Sequence, residues 1–253
     1  MTPRITFAVA ARVLTQLLRD HRTLAMLLVL PCLILALLWW MFDDLPAAAT
    51  GFSSLGPPLL ALIPFIVMFL VTSVTTLRER SSGTLERLLT MPMGKVDLLL
   101  GYALTFGLVA AVQSTLAVLL SVTLLGLDVA ADVWMLVVVA IADAVLGTAL
   151  GLFVSAFART EFQAVQFMPA VVIPQILLCG LFVPRDAMPP VLGAISDVLP
   201  LSYAVDAMSS VAGTTGPALG SVETAVWGDI AVIVGFAVAG LVLGATTLRR
   251  RTA

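Results

Sequence analysis

The sequence predicts an all-α protein that crosses a membrane several times and forms one domain over residues 1–253. Two features of its composition predict this class: 60% of the residues are hydrophobic and only 11% are charged. A soluble domain carries about 25% charged residues. A soluble fold would also have to bury several apolar runs of about 20 residues beneath too little polar surface. A polytopic membrane protein is therefore the class that fits.

Six apolar runs have lengths near the ~20 residues that cross the hydrocarbon layer as a helix. They predict spans at residues 24–42, 57–77, 98–125, 133–157, 165–183 and 228–248. Trp39 and Trp40 close the first span, as aromatic residues commonly do at the membrane interface. Asp43 and Asp44 follow at once, so the first span is expected to end there.

Residues 4–20 predict an amphipathic helix ahead of the first span. Five apolar side chains recur at steps of three and four and define one face: Phe7, Ala10, Leu14, Leu17 and Leu18. Arg12, Gln16 and Arg19 define the opposite face. Such a basic helix is expected to lie at the cytoplasmic interface of the membrane. The alternative is a positively charged flank without fixed helical structure.

The basic residues predict the orientation of the chain in the membrane. With six spans and both termini on one side, 12 of the 13 Lys and Arg residues share that side, and Arg185 alone lies on the other. Positive residues are retained on the cytoplasmic side, so both termini are expected in the cytoplasm. The use of 12 Arg against one Lys indicates a GC-rich bacterial genome, and the bacterial plasma membrane is the expected location.

The stretch between the second and third spans, residues 76–101, is the one long run dense in charge. Its middle predicts a short amphipathic helix with an apolar side (Leu85, Leu88, Leu89) and a charged side (Glu86, Arg87). Gly83 allows the chain to turn before this helix, and Pro92 ends it. A short helix between two spans, with one apolar and one charged face, suits docking onto another protein. The alternative is an ordinary solvated loop.

A long segment between the fifth and sixth spans, residues 184–227, lies on the predicted outer side. It mixes apolar residues at helical spacing with prolines and acids, and it is too short and too polar to cross the membrane twice. It is therefore expected to be re-entrant or to lie in the outer interface.

Two motifs carry a resemblance to a known family. The outer motif consists of Gly180, Phe182, Pro184, Pro189, Leu199, Pro200, Tyr203 and Asp206. The cytoplasmic motif consists of Arg78, Glu79 and Arg80, followed by Gly83, Thr84, Leu85, Glu86, Arg87 and Leu88. Both resemble the pattern of the ABC transporter type 2 permeases, the family that includes exporters of the daunorubicin-resistance type. The resemblance covers essentially the whole chain. It departs where an Arg often follows the outer Tyr–acid pair, because Met208 and Ser209 stand there.

The resemblance implies partners and an energy source. Such permeases pair as dimers, with a second copy or a related chain, and bind two separate ATP-hydrolysing subunits on the cytoplasmic face. This chain has no phosphate loop, since Gly94-Lys95 is followed by Val96 and no Gly stands five residues before Gly94. ATP and Mg²⁺ are therefore expected on the partner, and no cofactor, metal or catalytic site is expected here. Membrane lipids are expected partners, and nucleic acid is not.

The charged cytoplasmic stretch is the expected contact with those ATPase subunits. Thr84 to Leu89 would form a coupling helix seated in a groove of the partner. Glu79, Arg80 and Glu86 would make contacts at its rim.

Polar residues within the spans are candidates for a substrate path, because an ionisable group in hydrocarbon costs roughly 2.5–3.5 kcal/mol. Asp143 is the one acid predicted deep in a span, and Gly147 and Gly151 follow it on the same helical face. Two interpretations of Asp143 are open. In a functional role it would face a central cleft or a dimer seam, and in a structural role it would form a hydrogen bond to a neighbouring helix. Four glutamines are weaker candidates: Gln113, Gln163, Gln166 and Gln175.

The resemblance implies the membrane subunit of an ATP-driven exporter of hydrophobic or amphiphilic compounds, such as drugs or lipids. An exporter of polysaccharide or another envelope precursor is the alternative within the same superfamily. A gradient-driven secondary transporter would show several intramembrane acids or an inverted repeat. An intramembrane enzyme would need a catalytic cluster, and the single histidine, His21, lies in the N-terminal flank.

Overall fold

A computed structural model describes residues 3–43, 52–81, 94–158, 160–213 and 219–247. All regular structure in these ranges is helical, which confirms the predicted all-α class. The helices are α1 (Pro3–Arg19), α2 (His21–Asp43), α3 (Phe52–Ser81), α4 (Lys95–Thr123), α5 (Val133–Ser155), α6 (Glu161–Leu178), α7 (Pro190–Ser196), α8 (Pro200–Ala212) and α9 (Leu219–Thr247). A 3₁₀ turn, Arg185–Ala187, stands between α6 and α7.

Six of the described helices are long and apolar enough to cross a membrane: α2, α3, α4, α5, α6 and α9. The count of six agrees with the sequence prediction, although the helices extend beyond the predicted runs at most ends. Three helices end two or more residues before the predicted runs do: α4 and α5 end two residues early, and α6 ends five residues early, at Leu178 and not at residue 183. Gly180 follows with a φ of +95°, a backbone conformation that suits glycine and stops the helix.

The outer segment contains a bent pair of helices. The axes of α7 and α8 differ by 89° across a break of three residues, so the pair is either a re-entrant hairpin or a broken span. Pro200 begins α8, where a missing backbone N–H costs nothing. One face of α8 is buried, and its side chains Leu201, Ala204 and Met208 have no exposed surface.

The helices α3 and α5 form the centre of the bundle. At Gly147 and Gly151 of α5, an added Cβ would lie 2.5 Å from the carbonyl oxygens of Phe65 and Phe69 of α3. The two backbones therefore approach as closely as small residues permit. The second contact lies four residues after the first on both helices, from Phe65 to Phe69 on α3 and from Gly147 to Gly151 on α5. The two helices therefore run side by side in the same direction.

The N-terminal helix packs against the bundle through a face that shares Leu17 with the predicted apolar set. The buried side chains of α1 are Thr6, Val9, Val13 and Leu17. Val9 lies against Gly101 of α4, where an added Cβ would meet its Cγ1 at 2.6 Å. Phe7 and Leu18, assigned to the apolar face of an interfacial helix, are exposed on the protein. The helix α1 is thus apolar on two sides, and the side with small and β-branched residues fits the narrow groove at Gly101.

Replacing Gly147 with Ala is expected to destabilise the fold by about 1–3 kcal/mol, because the new methyl group would overlap the carbonyl of Phe65. The measurement is the midpoint of thermal unfolding in detergent. Gly235→Ala is the matched control, since nothing lies within 4 Å of a Cβ at that helical glycine. Equal midpoints for the two variants would contradict the close packing of α3 on α5.

Candidate functional site

A partly buried ion pair on the predicted cytoplasmic side joins three helices. Nη2 of Arg12 in α1 donates hydrogen bonds to Oε2 of Glu79 in α3, at 2.9 Å, and to the hydroxyl of Tyr102 in α4, at 3.0 Å. The Glu79 side chain is 6% exposed, against 34% for Arg12. A charge so well covered needs a charged partner, and Arg12 reaches it from the rim of the bundle.

Further contacts fasten α1 to the beginning of α4. Thr6 donates its hydroxyl hydrogen to Oδ1 of Asp97 at 3.4 Å, and Thr105 donates to the backbone carbonyl of Ala10 at 2.9 Å. Asp97 also accepts from the backbone N–H of Gly94 at 3.2 Å, which caps the N-terminus of α4. The helix α1 therefore binds the end of α3 and the start of α4, the two helices on either side of residues 82–93.

Asp20 makes the joint between α1 and α2. It accepts a hydrogen bond from the hydroxyl of Thr23 at 2.6 Å and another from its backbone N–H at 3.1 Å. The hydroxyl bond is the main reason that the pKa of Asp20 lies below its ordinary value. The first turn of α2 is thereby capped.

Of the residues predicted to contact the partner, the structure describes the side chain of Glu79. Glu79 was expected at the rim of the partner groove, and the structure corrects this, because its side chain is buried and bonded to Arg12. Its neighbour Arg78 is exposed instead and forms a bidentate salt bridge with Glu161 of α6. Its Nε donates to Oε1 at 3.0 Å, and its Nη2 donates to Oε2 at 3.2 Å. The side chain of Arg80 and the whole of Gly83, Thr84, Leu85, Glu86, Arg87 and Leu88 lie outside the described residues.

The candidate residues of the substrate path do not share one environment. Asp143 and Gln113 are fully buried, and within the described part of the chain their polar side-chain atoms have no hydrogen-bond partner. Gln175 is buried and donates from Nε2 to the carbonyl of Val171 at 3.1 Å. Gln166 is exposed on the outside of α6.

The position of Asp143 contradicts one expectation. It stands one turn before Gly147, on a helix whose glycine face packs against α3, and its exposed fraction is zero. It therefore lies inside the protomer and cannot contribute to a dimer seam in this conformation. The predicted hydrogen bond to a neighbouring helix is also not found among the described residues.

Arg185 is the centre of a charged cluster on the predicted outer side. It binds the carboxylates of Asp206 in α8 and of Asp197 at the end of α7. Its Cζ lies 5.1 Å from the centre of the Tyr203 ring, and the Tyr203 hydroxyl donates to the backbone carbonyl of Asp197 at 2.7 Å. Burial alone would lower the pKa of Arg185, but the hydrogen bonds and charges of Asp206 and Asp197 raise it, so the guanidinium stays charged.

This cluster borders an open cavity of about 680 Å³. The cavity is lined by the 3₁₀ turn and α7 on one side and by α3 and α8 on the other. Its polar lining includes Ser54, Arg185, Asp186, Asp197, Asp206 and Ser210. Of the outer motif, Tyr203 and Asp206 surround Arg185, Pro184 precedes the 3₁₀ turn, and Pro200 starts α8.

Sequence reasoning missed Arg12, Tyr102 and Arg185 as site residues. Arg12 was placed on the solvent face of α1, and Tyr102 was read as part of an apolar span. A usable signal existed for Arg185, since it is the one basic residue on the predicted outer side. The missing Arg after the outer Tyr–acid pair weakened the expectation of an outer charge pair, but Arg185 supplies that pair from upstream.

Comparison with known sequences identifies the family. The sequence profile described as ABC-2 type transporter matches residues 5–212. The chain belongs to this family. It is 27% identical over 156 residues to the probable multidrug ABC transporter permease YbhS of Escherichia coli K12, a match that covers 61% of this chain and 41% of that protein.

Two further relatives have the same level of similarity. The inner membrane transport permease YhhJ of E. coli K12 is 27% identical over 155 residues, covering 60% of this chain and 41% of the relative. ABC transporter G family member 20 of Dictyostelium discoideum is 26% identical over 157 residues, covering 62% of this chain and 22% of the relative. The chain thus spans less than half the length of these curated relatives.

Replacing Arg12 with Ala is expected to lower the free energy of unfolding by about 2 kcal/mol, because it leaves the Glu79 carboxylate buried without its guanidinium. The loss is smaller than the roughly 3–5 kcal/mol of a fully buried pair, since Arg12 is partly exposed. Thermal unfolding in detergent measures it. Arg19→Ala, at an exposed position of the same helix, is the control, and a drop no larger than that of the control would contradict the pair.

Asp143→Asn is expected to keep or raise the unfolding midpoint, because it removes a group that would be charged in water and has no partner in the described interior. Thermal unfolding in detergent measures the midpoint. Asp128→Asn, in an exposed loop, controls for the loss of an acid. A midpoint lower than that of the control would contradict the absence of a partner for Asp143 among the described residues.

Proposed function

We propose that this chain is the membrane-spanning permease subunit of an ATP-binding-cassette exporter. It moves hydrophobic or amphiphilic compounds, such as drugs or lipids, outward, and ATP hydrolysis on a separate subunit drives the movement. Membership of the ABC-2 type transporter family supports this proposal. The name of YbhS, a probable multidrug ABC transporter permease, supports the substrate class.

The observation that carries the proposal is the double attachment of α1. Through Glu79 and Asp97, α1 is bonded to the helices that enter and leave residues 82–93. If Thr84 to Leu89 form the coupling helix, a shift of that helix moves the inner ends of α3 and α4 together with α1. ATP and Mg²⁺ belong to the partner, and this subunit converts the movement of the partner into a change of its own bundle.

The orientation and partners are part of the same proposal. Both termini lie in the cytoplasm of a bacterium, the spans cross its plasma membrane, and a second permease copy or a related chain completes the assembly. The mostly exposed apolar helices α2 and α6 offer surfaces for that copy and for lipid. Met26, Trp40 and Phe162 are examples of their exposed side chains.

The test is purification of the tagged chain from its native membrane and quantification of the ATPase subunit that co-purifies. Wild type is expected to retain that subunit in equal amount. Glu86→Ala and Gly83→Pro are expected to reduce it about tenfold or more, as truncation of a central contact does at an interface. Glu223→Ala, an acid removed from the predicted outer side, is the matched control and is expected to change nothing.

Two results would contradict the proposal. Equal recovery of the ATPase subunit with Glu86→Ala, Gly83→Pro and the control would place the coupling contact elsewhere. A stable oligomer without any ATPase would favour transport driven by an ion gradient, the alternative from another class of transporter.

A further inference from the structure

The outer strap, defined here as residues 180–197, is lightly packed against the rest of the bundle. It contains the 3₁₀ turn and α7, and its apolar side chains Val191 and Ile195 are exposed. Gly180 stands at its beginning with a φ of +95°, next to the end of α6. Apolar burial therefore contributes little to holding the strap in place.

The helix on which the strap rests is held much more firmly. Leu201, Ala204, Ala207 and Met208 of α8 have no exposed surface, and α8 packs against α3, α5 and α9. The position of α8 is thus fixed by apolar contacts independent of the strap. A change that frees the strap should leave α8 where it is.

Arg185 connects the two. From the strap it binds Asp206 of α8, and it also binds Asp197 at the far end of the strap, which folds the strap back on itself. The Tyr203 ring lies against the guanidinium, and the Tyr203 hydroxyl donates to the carbonyl of Asp197 at 2.7 Å. The hydroxyls of Ser196 and Ser202 lie 3.1 Å apart, and Ser196 also donates to the carbonyl of Leu178 in α6 at 2.7 Å. Arg185 is 17% exposed, whereas Asp197 is 65% exposed, so water reaches one side of the cluster and competes for its bonds.

The cavity lies between the strap and the fixed helices. Pro184, Arg185 and Asp197 of the strap form one wall, and Ser54 of α3 and Ser210 of α8 belong to the other. Any movement of the strap away from α8 widens this cavity toward the outer side.

We propose that Arg185 is a latch, which holds the outer strap against α8 and whose release opens the cavity to the extracytoplasmic side. The latch rests on the proposed orientation of the chain but not on the identity of the substrate or the ATPase. Release from α8 breaks the pair with Asp206 and the stacking on Tyr203 together, because one guanidinium makes both contacts, whereas the pair with Asp197 lies within the strap. The strap therefore has a closed arrangement and a released one.

The experiment measures access to the cavity in intact cells. Ser210→Cys provides a thiol on the fixed wall, in a background with Cys32→Ala and Cys179→Ala, and a membrane-impermeant maleimide labels it. Adding Arg185→Gln is expected to raise the labelling rate about fivefold or more, because the closed arrangement loses both ion pairs. Arg185→Lys, which retains a charge without the fork of the guanidinium, is expected to give an intermediate rate.

Three controls make the result specific. Asp186→Asn removes a charge beside Arg185 on the same cavity, and it is expected to leave the rate unchanged. Glu223→Cys places the reporter thiol at an exposed position outside the cavity. Its labelling rate is expected to be the same whether Arg or Gln stands at position 185. The exchange of charges, Arg185→Asp with Asp206→Arg, is expected to give a rate between those with Arg and with Gln at position 185, because it restores an ion pair to α8 but loses the pair with Asp197 and the contact with Tyr203.

Equal labelling rates of Ser210→Cys with Arg, Gln or Lys at position 185 would overturn the latch. A rise that also occurs at Glu223→Cys would overturn it too, because it would indicate general loosening of the bundle. Size-exclusion profiles of each variant confirm that the protein being labelled is folded. Since the readout needs no ATPase, failure of the latch and failure of the proposed exporter are seen separately.

Discussion

The contact between α3 and α5 is the constraint on which the rest of the bundle depends. In a membrane, helices gain little from the hydrophobic effect on meeting one another, so close van der Waals packing has to hold them together. Gly147 and Gly151 provide that packing by bringing the α5 backbone onto the carbonyls of Phe65 and Phe69. The other helices pack around this pair, and both charged clusters use α3 or its neighbours as their base.

The charges lie at the two ends of this apolar centre. At the inner end, Arg12 joins α1 to Glu79 and Tyr102. At the outer end, Arg185 joins the strap to Asp206. Each cluster relies on one guanidinium that binds several groups, a role for which the planar arginine side chain is better suited than lysine. Both are partly exposed, so each can rearrange at lower cost than a buried pair in the bundle centre.

The sequence predicted the features that depend on the membrane itself and missed those that depend on packing. The thickness of the hydrocarbon layer determines the length of each span, and so the six spans could be found from apolar runs alone. The buried face of α1 could not, because Phe7 and Val9 are equally apolar and only the groove beside Gly101 selects Val9. Glu79 was misplaced for the same reason: nothing in the local sequence shows that α1 will cover it. Arg185 could have been recognised, since a lone basic residue among outer acids has obvious partners.

The length of α3 relates the two ends to each other. Its 30 residues correspond to about 45 Å of helix, and the part from Ser54 at the cavity to Glu79 at the ion pair covers about 38 Å. A helix with continuous backbone hydrogen bonding behaves as a stiff rod, and Pro64 is its one interior break in that bonding beyond the prolines of its first turns. If α3 tilts as a rigid rod about its contacts with α5, its inner end and the cavity wall move in opposite directions. The ratio of the two displacements is then set by where Phe65 and Phe69, the residues of α3 at these contacts, stand along the rod.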